Sequence, residues 1–449
     1  MRTKKNKRES ACFSKKLSDA SYYEAAIEKL HAKFSSDYPK MLYEIQDEGH
    51  SFAQIFYDRR KIARILAKEV GGHVYQFSPA NVREKQVDGK PRLIYSFTLF
   101  DRIVHTAVFS MLAEDMQHCF SDHVYSYRAG RNRTHAIQSF MRFMRTHREQ
   151  YTEPKNRGVY VYRFDIKSYG ETIPLSPGST VWAEFYEVFK QAYGVMPTQK
   201  EKMLIHSLIH PEVYSDDGGV YENIMGIVIG APISALLLNL YVGALDRSLA
   251  AIKGSFYARY GDDIIFVHRD IETFANTIGY IKQQLNKLGL SINQEKSRSV
   301  FFNAAGREKG GIKGSTAIKY LGMQMQFNGT MALKAEKVED FMRDLRKRVS
   351  RMSAQLQDRS LDERGKLVCS LINKMLEPRQ SLASPYADLL QSVVNDRGQL
   401  KDVDYRIARL VLKTITGDAS VKQFRKIPYK KMREEWKLIS LEYQRNRGC

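Results

Sequence analysis

Tyr260-Gly261-Asp262-Asp263 lies between two apolar runs, Phe256-Tyr257-Ala258 and Ile264-Ile265-Phe266-Val267. Glycine frees the backbone for a tight turn, and the apolar residues on each side favour two half-buried strands. The stretch therefore predicts a β-hairpin with two adjacent carboxylates at its tip. Mg²⁺ binds proteins through one or two carboxylates and completes its octahedron with substrate phosphates and water. We expect this hairpin to hold a divalent metal for nucleotidyl transfer.

A further carboxylate is expected from another part of the chain, because a two-metal mechanism needs an acid that bridges both ions. Residues 159–166 alternate valine with aromatic side chains, which predicts a strand, and Asp165 lies at its end. Pairing of this strand with the hairpin would place Asp165, Asp262 and Asp263 on adjacent strands of one antiparallel sheet.

A second Tyr-x-Asp-Asp stretch, 214–217, has the same spelling but a different setting. Gly218-Gly219 follows it, and no apolar strand comes directly after the acids. This pattern is typical of a solvated turn, so we do not expect catalysis from Asp216 and Asp217.

The order of several short motifs resembles that of prokaryotic reverse transcriptases, related to group II intron and retron enzymes. The match covers about residues 74–325. Its segments are Lys90-Pro91-Arg92-Leu93-Ile94 with 101–104, Tyr125-Ser126-Tyr127-Arg128-Ala129-Gly130-Arg131, Phe164-Asp165-Ile166-Lys167, Gly230-Ala231-Pro232-Ile233-Ser234 with 239–241 and 245–246, the Tyr260 hairpin, 289–293 with Lys296, and Tyr320-Leu321-Gly322-Met323.

The resemblance implies an α/β (α+β) right-hand polymerase with fingers, palm and thumb. A basic tail and helical extension would occupy 1–73, and the fingers 74–158. The palm would span 159–329, with an antiparallel sheet that carries the hairpin and with a helical insertion near 181–210. A helical thumb and a basic C-terminal region would fill 330–449.

The resemblance also implies roles for the acids. Asp165 and Asp262 would hold two Mg²⁺ ions, for which Mn²⁺ could substitute. Asp263 would support the site, and the backbone carbonyl of Ile166 would complete the coordination. The ions would bind the triphosphate and activate the primer 3′-hydroxyl.

Basic residues and one turn receive further roles from the same resemblance. Arg92 and Arg128 would contact the incoming triphosphate, since a planar guanidinium matches phosphate oxygens, or they would pair with fingers carboxylates. Lys296 would orient or protonate the leaving pyrophosphate, or remain solvated. The segment Tyr320-Leu321-Gly322 would form the primer grip.

Two departures from the family pattern fall around the nucleotide sugar. The family carries an aromatic residue five positions after the first-motif aspartate, where this chain has Gly170, preceded by Tyr169. The glutamine that normally precedes Gly230-Ala231-Pro232 is Ile229. Either Tyr169 serves as the sugar gate, or sugar discrimination is relaxed, or the enzyme handles nucleotide or template unusually. Glu171 is a candidate substitute contact.

Composition agrees with a nucleic-acid enzyme. The formal net charge is +21 and the pI about 9.6, so the surface attracts polyanions. Apolar residues at three- and four-residue steps from Val338 to Leu356 predict an amphipathic thumb helix. Its remaining surface carries the candidate contacts to a nucleic-acid backbone, Arg343, Arg346, Lys347 and Arg351.

The C-terminal stretch 401–449 has 13 basic and 6 acidic residues with interspersed aromatic side chains, Phe424, Tyr429, Trp436 and Tyr443. Such interleaving suits RNA binding, in which rings stack on bases. A small helical cap whose rings belong to the core fits the same pattern.

The leading hypothesis is an RNA-directed DNA polymerase that acts on a dedicated noncoding RNA, with dNTPs as substrates and DNA as product. The divergence, together with the lack of a Val-Thr-Gly signature, points to the defence-associated, anti-phage group, with a companion defence protein and homo-oligomers as further partners. The alternatives are an RNA-dependent RNA polymerase, template-independent or protein-primed DNA synthesis, and a catalytically silent RNA-binding scaffold.

The cysteines and the apolar runs bear on the compartment. Cys12, Cys119, Cys369 and Cys449 show neither metal-ligand spacing nor a disulfide framework, which favours a reducing cytoplasm. No run approaches membrane-spanning length, so we expect no membrane association.

Overall fold

A computed structural model describes residues 12–37, 39–46, 49–87, 90–153, 157–215, 218–352, 356–377 and 384–447. The chain divides into two compact units, the first made of 1–132, 164–266 and 272–297, and the second of 133–163, 267–271 and 298–449. These units do not follow the predicted limits of fingers, palm and thumb, which stay predictions. The look-alike acids Asp216 and Asp217 lie outside the described residues.

Helices and strands both contribute substantially, so the expected mixed α and β architecture is confirmed. The helices are α1 (Phe13–Leu17), α2 (Ala20–Asp37), α3 (Phe52–Tyr57), α4 (Arg59–Gly72), α5 (Leu99–Met116), α6 (Arg133–Gln150), α7 (Thr180–Tyr193), α8 (Gln199–Ile209), α9 (Ser234–Leu240), α10 (Gly243–Ala250), α11 (Ile271–Lys287), α12 (Ala335–Ser350), α13 (Leu361–Leu376), α14 (Ala387–Ser392), α15 (Arg397–Thr416), α16 (Gln423–Lys426), α17 (Tyr429–Glu434) and α18 (Leu441–Arg447). The strands are β1 (Asn81–Val87), β2 (Lys90–Ser96), β3 (Val159–Asp165), β4 (Glu212–Tyr214), β5 (Val220–Glu222), β6 (Phe256–Tyr260), β7 (Asp263–His268), β8 (Arg298–Phe302), β9 (Gly314–Ser315), β10 (Ala317–Tyr320), β11 (Met323–Gln326) and β12 (Met331–Leu333).

The segment predicted as a helical insertion contains α7 and α8, and its place within a palm stays a prediction. The first helix ends at Gly194, whose φ of 76° is left-handed and suits a residue without a Cβ. A capping box formed by Thr198 and Glu201 begins the second. Among the described residues, no helix is long and apolar enough to cross a membrane.

The predicted hairpin is confirmed by β6 and β7, which Gly261 joins with a φ of 66°. These strands belong to a sheet with the order β6-β7-β3-β8-β9. β8 pairs antiparallel with β3, from Val159 opposite Phe302 to Arg163 opposite Arg298. The antiparallel pairing expected in the sheet of the hairpin is present between β3 and β8, and at the edge of the sheet β9 pairs parallel with β8. A loop rather than a hairpin connects these two strands, so the chain returns in the same direction.

The second unit contains a three-stranded sheet, β10-β11-β12, and helices α12 to α18. The predicted primer-grip turn joins β10 to β11, with φ values of 48° at Leu321 and 83° at Gly322. Tyr320 pairs with Met323 across the turn and is fully buried. Two positive φ angles in a two-residue loop match the twist of an antiparallel hairpin.

The predicted amphipathic helix is present as α12, which buries Val338, Phe341, Leu345 and Val349, and its place in a thumb stays a prediction. The predicted stripe extends further than the helix, which ends at Ser350.

The aromatic residues of the C-terminal stretch differ in exposure, which bears on whether their rings stack on RNA bases or belong to the core of a helical cap. Trp436 is only 3 % exposed and packs against Gly365 in α13, so its ring belongs to the core. Tyr443 is 40 % exposed. Base stacking by Trp436 is therefore excluded in this conformation, and the helical-cap interpretation is correct for that residue.

Candidate active site

Three chain segments meet around Asp165 and Asp262. The amide of Ile166 donates to the carbonyl of Asp262 at 3.3 Å, which ties the end of β3 to the hairpin turn. The carbonyl of Asp165 accepts from the Asn293 amide at 2.8 Å, and Ile166 forms an antiparallel bridge with Ile292. Backbone bonds thus fix both aspartates against the segment that leads to Lys296.

The carboxylates of Asp165 and Asp262 interact directly. Removal of water by the surrounding protein, and then the negative charge of Asp165, raise the pKa of Asp262 above its usual range. Lys296 places its Nζ 3.2 Å from Oδ2 of Asp165 and partly offsets this repulsion. Asp165 is 8 % exposed, whereas Asp262 is open to solvent. Two acids and one cation therefore share a site that a ligand can reach.

Asp263 begins β7 and is half-buried. Within the described part of the chain, no three His, Cys, Asp or Glu side chains come together as a metal-ligand cluster. Asp262 lies in the turn itself, whereas Asp263 is the first residue of β7. The structure therefore pairs Asp165 with Asp262, and the supporting role of Asp263 remains a prediction.

A fully buried ion pair lies beneath the hairpin. Arg259 in β6 bonds both carboxylate oxygens of Asp246 in α10, at 2.8 Å through Nε and 2.6 Å through Nη2, and Tyr257 donates to the same carboxylate. The remaining Arg259 donors reach the carbonyls of Leu238 at 3.3 Å and Gly261 at 3.2 Å. Burial alone would lower the pKa of Arg259, but the charge of Asp246 raises it above its ordinary value. This cation is permanently charged and binds the turn that carries the acids.

Ser126 supports the turn from the other side. Its hydroxyl accepts from the Gly261 amide at 2.8 Å, and its carbonyl accepts from the Asn239 side chain at 2.9 Å. The sequence analysis assigned no role to Ser126 or Arg259. The sequence does contain a signal for Arg259, because it is an arginine inside an otherwise apolar strand. A charge buried in this way requires a partner of opposite charge.

The two arginines expected at the triphosphate have protein partners in the structure. Arg92 in β2 pairs with Glu171. Arg128 donates to the carbonyls of Ser121 and Gln117, both at 2.6 Å. The alternative of carboxylate pairing is therefore the observed state of Arg92, whereas Arg128 holds its own loop together. Contact of either residue with a nucleotide remains a prediction.

Tyr169 is buried and hydrogen-bonded to α9. Its side chain is 5 % exposed, and its hydroxyl donates to the Leu238 carbonyl at 2.6 Å. Burial raises the pKa of this phenol. The left-handed Ser168, with a φ of 48°, precedes the ring in a turn. The role of Tyr169 as the sugar gate stays a prediction.

Ile227 fills the space beside Gly170. A Cβ added at Gly170 would lie 3.0 Å from both Cδ1 and Cγ1 of Ile227. The Ile227 amide donates to the Gly170 carbonyl at 2.7 Å, which fixes this approach. A glycine at position 170 thus permits a side chain from another segment to pack there.

Gly230 permits a close approach to β2. Its φ is 123°, and a Cβ there would lie only 2.4 Å from the Tyr95 carbonyl oxygen. The Tyr95 amide donates to the Ile229 carbonyl at 2.8 Å. Ala231 is 5 % exposed, and Pro232 immediately precedes the turn into α9. The structure gives this segment a packing role, and its predicted nucleotide contacts remain predictions.

The chain matches the family described as reverse transcriptase (RNA-dependent DNA polymerase) over residues 82–325, more than half of its length. It therefore belongs to the reverse transcriptase family.

Among curated proteins, the chain is similar to the retron Mx65 reverse transcriptase of Myxococcus xanthus, with 30 % identity over 105 residues. That match spans 23 % of this chain and 22 % of the relative. Among solved structures, it is similar to apo telomerase from Candida tropicalis, at 13 % identity and a TM-score of 0.44, over 82 % of this chain and 61 % of that one. The chain is also similar to telomerase from Candida albicans in complex with a TWJ fragment of telomeric RNA, at 10 % identity and a TM-score of 0.47. That match covers 82 % of this chain and 67 % of the telomerase chain.

We expect Arg259→Met to lower the free energy of unfolding by about 3–5 kcal/mol, because it leaves Asp246 buried without its counter-ion. Urea unfolding followed by circular dichroism measures the loss. The matched control is Arg247→Met, which breaks a pair with Glu184 in which the arginine is 46 % exposed. That change should cost less than about 1 kcal/mol. Equal losses in the two variants would contradict the special role of the buried pair.

Gly230→Ala should destabilise the protein by about 1–3 kcal/mol more than Gly130→Ala. Both glycines have positive φ, but a Cβ at Gly130 would meet nothing within 4 Å. The comparison therefore measures the clash with Tyr95 together with the greater backbone strain at Gly230, because a φ of 70° costs a non-glycine residue less than a φ of 123°. Thermal unfolding of the two variants measures the difference, and identical stabilities would show that β2 moves away freely.

Proposed function

We propose that the chain is an RNA-directed DNA polymerase that extends a primer by nucleotidyl transfer at Asp165 and Asp262. The observation that carries this proposal is the meeting of these two carboxylates, from the end of β3 and from the hairpin turn, beside Lys296. Membership of the reverse transcriptase family supports the same chemistry. Asp263 would support the site from the start of β7.

The donor set fits Mg²⁺, with Mn²⁺ as a substitute. Carboxylate oxygens are hard ligands, and Mg²⁺ needs only one or two of them when phosphates and water complete its shell. Desolvation and then the negative charge of Asp165 raise the pKa of Asp262, and a cation between the two acids would offset their repulsion. Asp165 and Asp262 would hold the ions, together with the Ile166 carbonyl. Bound divalent ions would stabilise charge on the transferring phosphoryl group and on the attacking and leaving oxygens.

The protein's own cations would orient the triphosphate. Lys296 is 54 % exposed and needs to move little to reach a phosphate from Asp165. Arg92 is 32 % exposed and would exchange Glu171 for phosphate oxygens, which its planar fork fits in a bidentate manner. Arg128 would act indirectly by holding the loop that carries Tyr127.

We further propose that the template is a dedicated noncoding RNA and that the enzyme acts in bacterial anti-phage defence. The net charge of +21 supports polyanion binding, and the retron relative supports an RNA-templated reaction. The departures at Gly170 and Ile229 support the defence group over a mobile-element enzyme. A cytoplasmic location, a companion defence protein and a homo-oligomer belong to this proposal.

Asp165→Asn and Asp262→Asn should each reduce dNTP incorporation by at least about 100-fold, a loss of about 2.7 kcal/mol in transition-state stabilisation. The assay is incorporation of labelled dTTP by purified protein with Mg²⁺ on an RNA template annealed to a DNA primer. RNA binding should change little, because the site is small beside the basic surface. Asp216→Asn is the control, since it alters the look-alike stretch. Full synthesis in both active-site variants would exclude the assignment.

The source of the template and the primer is tested by measuring DNA synthesis in two samples. One is protein that retains its co-purifying RNA, and the other is protein treated with nuclease. DNA synthesis that is lost with the RNA supports a bound template or primer. Synthesis that survives points to protein-directed or protein-primed addition, and product from NTPs alone points to an RNA polymerase.

Ile227→Ala should increase ribonucleotide incorporation relative to deoxynucleotide by about tenfold, equivalent to about 1.4 kcal/mol. The reason is that Ile227 supplies the bulk beside Gly170, where the family carries an aromatic ring. The ratio of NTP to dNTP incorporation is measured for this variant and for Ile224→Ala, an isoleucine of the same segment that is 54 % exposed. An unchanged ratio in both variants would show that the sugar does not lie beside Gly170.

A further inference from the structure

A cavity of about 880 Å³ lies within the second unit, among α12, α13 and α15. Its size is within the range of about 300–1,000 Å³ that is usual for small-molecule sites. We propose that it binds a nucleoside phosphate, either a free nucleotide or one nucleotide of a bound RNA strand. This site would be separate from the carboxylates and would not require catalysis.

The charge of the lining favours an anion. Five of the lining side chains are cationic, and none of the described lining residues is acidic. The cations are Arg346 from α12, Arg364 from α13, and Arg406, Arg409 and Lys413 from α15. Charges of one sign in a concave site with low-dielectric walls reinforce each other and attract counter-ions.

Backbone carbonyls orient two of these arginines without neutralising them. Arg364 donates to the carbonyls of Arg359 at 2.9 Å and Gln357 at 3.0 Å. Arg409 donates to the carbonyl of Ala419 at 3.2 Å. A guanidinium held in this way loses little freedom when it binds a phosphate, which makes the site preorganised.

The other three cations differ in their partners. Arg406 bonds both carboxylate oxygens of Glu339, at 2.7 and 2.8 Å. Arg346 and Lys413 are exposed, and no ion pair of either with an acid is found among the described residues. Water screens exposed cations of like sign in part, and a bound anion would reduce their remaining repulsion.

Apolar walls suggest that the ligand is more than a phosphate. Leu410 is half-buried and offers apolar surface to the cavity, whereas Val349 and Leu356, at 1 % and 5 % exposed, offer almost none. Ser350 and Thr414 add hydroxyls to the same lining. An inorganic phosphate would leave the apolar surface wet, whereas a nucleobase would cover it. Phosphates at the arginines and a base on the apolar wall satisfy both parts of the cavity.

The test compares two double variants of the full chain with the same change in charge. Arg346→Glu with Lys413→Glu reverses two lining cations. Lys366→Glu with Lys401→Glu reverses two exposed lysines of α13 and α15 that do not line the cavity. Filter binding with EDTA measures the affinity for radiolabelled ATP and, separately, for a 12-nucleotide RNA.

The cavity variant should lose at least tenfold in affinity for ATP, for the RNA, or for both, and the control variant less than threefold. Loss for ATP identifies a free nucleotide as the ligand, and loss for the RNA alone identifies a nucleotide of a strand. Nucleotide bound near Asp165 would contribute equally to the binding measured for both variants. It would therefore not affect the difference in affinity between them. Equal losses in the two variants would overturn the proposal, because they would show a general charge effect.

A competition experiment tests the nucleoside part. ATP should displace labelled ATP at a concentration at least tenfold lower than tripolyphosphate, although tripolyphosphate carries the greater charge. Equal or better competition by tripolyphosphate would reduce the cavity to a polyanion site and overturn the proposal. Arg346→Gln with Lys413→Gln serves as a milder pair if charge reversal impairs folding, which circular dichroism checks. Asp262→Asn should leave ATP binding to the cavity unchanged, so this proposal and the polymerase assignment fail independently.

Discussion

The buried ion pair between Arg259 and Asp246 holds the turn that presents Asp262. Taking two charges out of water costs several kcal/mol for each ion, and only good geometry with further hydrogen bonds offsets that cost. Here the carboxylate has three donors, two from Arg259 and one from Tyr257. The same guanidinium also bonds carbonyls of α9 and of the hairpin turn. One cation therefore fixes α10, the end of α9 and the turn that presents Asp262.

That rigidity explains how two carboxylates can remain close. Asp165 and Asp262 repel each other, and a flexible turn would relieve the repulsion by moving them apart. Hydrogen bonds hold the turn in place, because its glycine is bonded on one side by Ser126 and on the other by Arg259. The end of β3 is held in the same way, through the bond from Ile166 to the turn and from Asn293 to Asp165. The fold thus keeps the two carboxylates close enough for the charge of Asp165 to raise the pKa of Asp262, after the larger effect of desolvation.

The hairpin, the helices of the insertion and the apolar face of α12 could all be predicted, because their signals are local in sequence. Turn glycines, capping residues and three- or four-residue spacing act within about ten positions. The partners of the basic residues could not be predicted in this way. Whether Arg92 bonds Glu171 or a phosphate depends on the approach of segments about 80 positions apart. The position of Ile227 beside Gly170 and the burial of Trp436 depend on tertiary packing in the same way.

Ion pairs in this protein fall into two groups that suit different tasks. Both side chains of the pair between Arg259 and Asp246 are almost completely buried, at 0 % and 2 % exposed. Removing either partner would therefore leave a buried charge with neither a counter-ion nor water. The pairs of Lys296 with Asp165 and of Arg92 with Glu171 each include a side chain at least half exposed, at 54 % and 51 %. Such pairs contribute at most about 1 kcal/mol, so either cation can exchange its carboxylate for another anion at little cost. The fixed pair maintains the geometry of the acids, whereas the exchangeable pair of Lys296 keeps a cation 3.2 Å from Asp165. The two kinds of pair thus separate the task of holding the acids in place from the task of keeping a movable positive charge beside one of them.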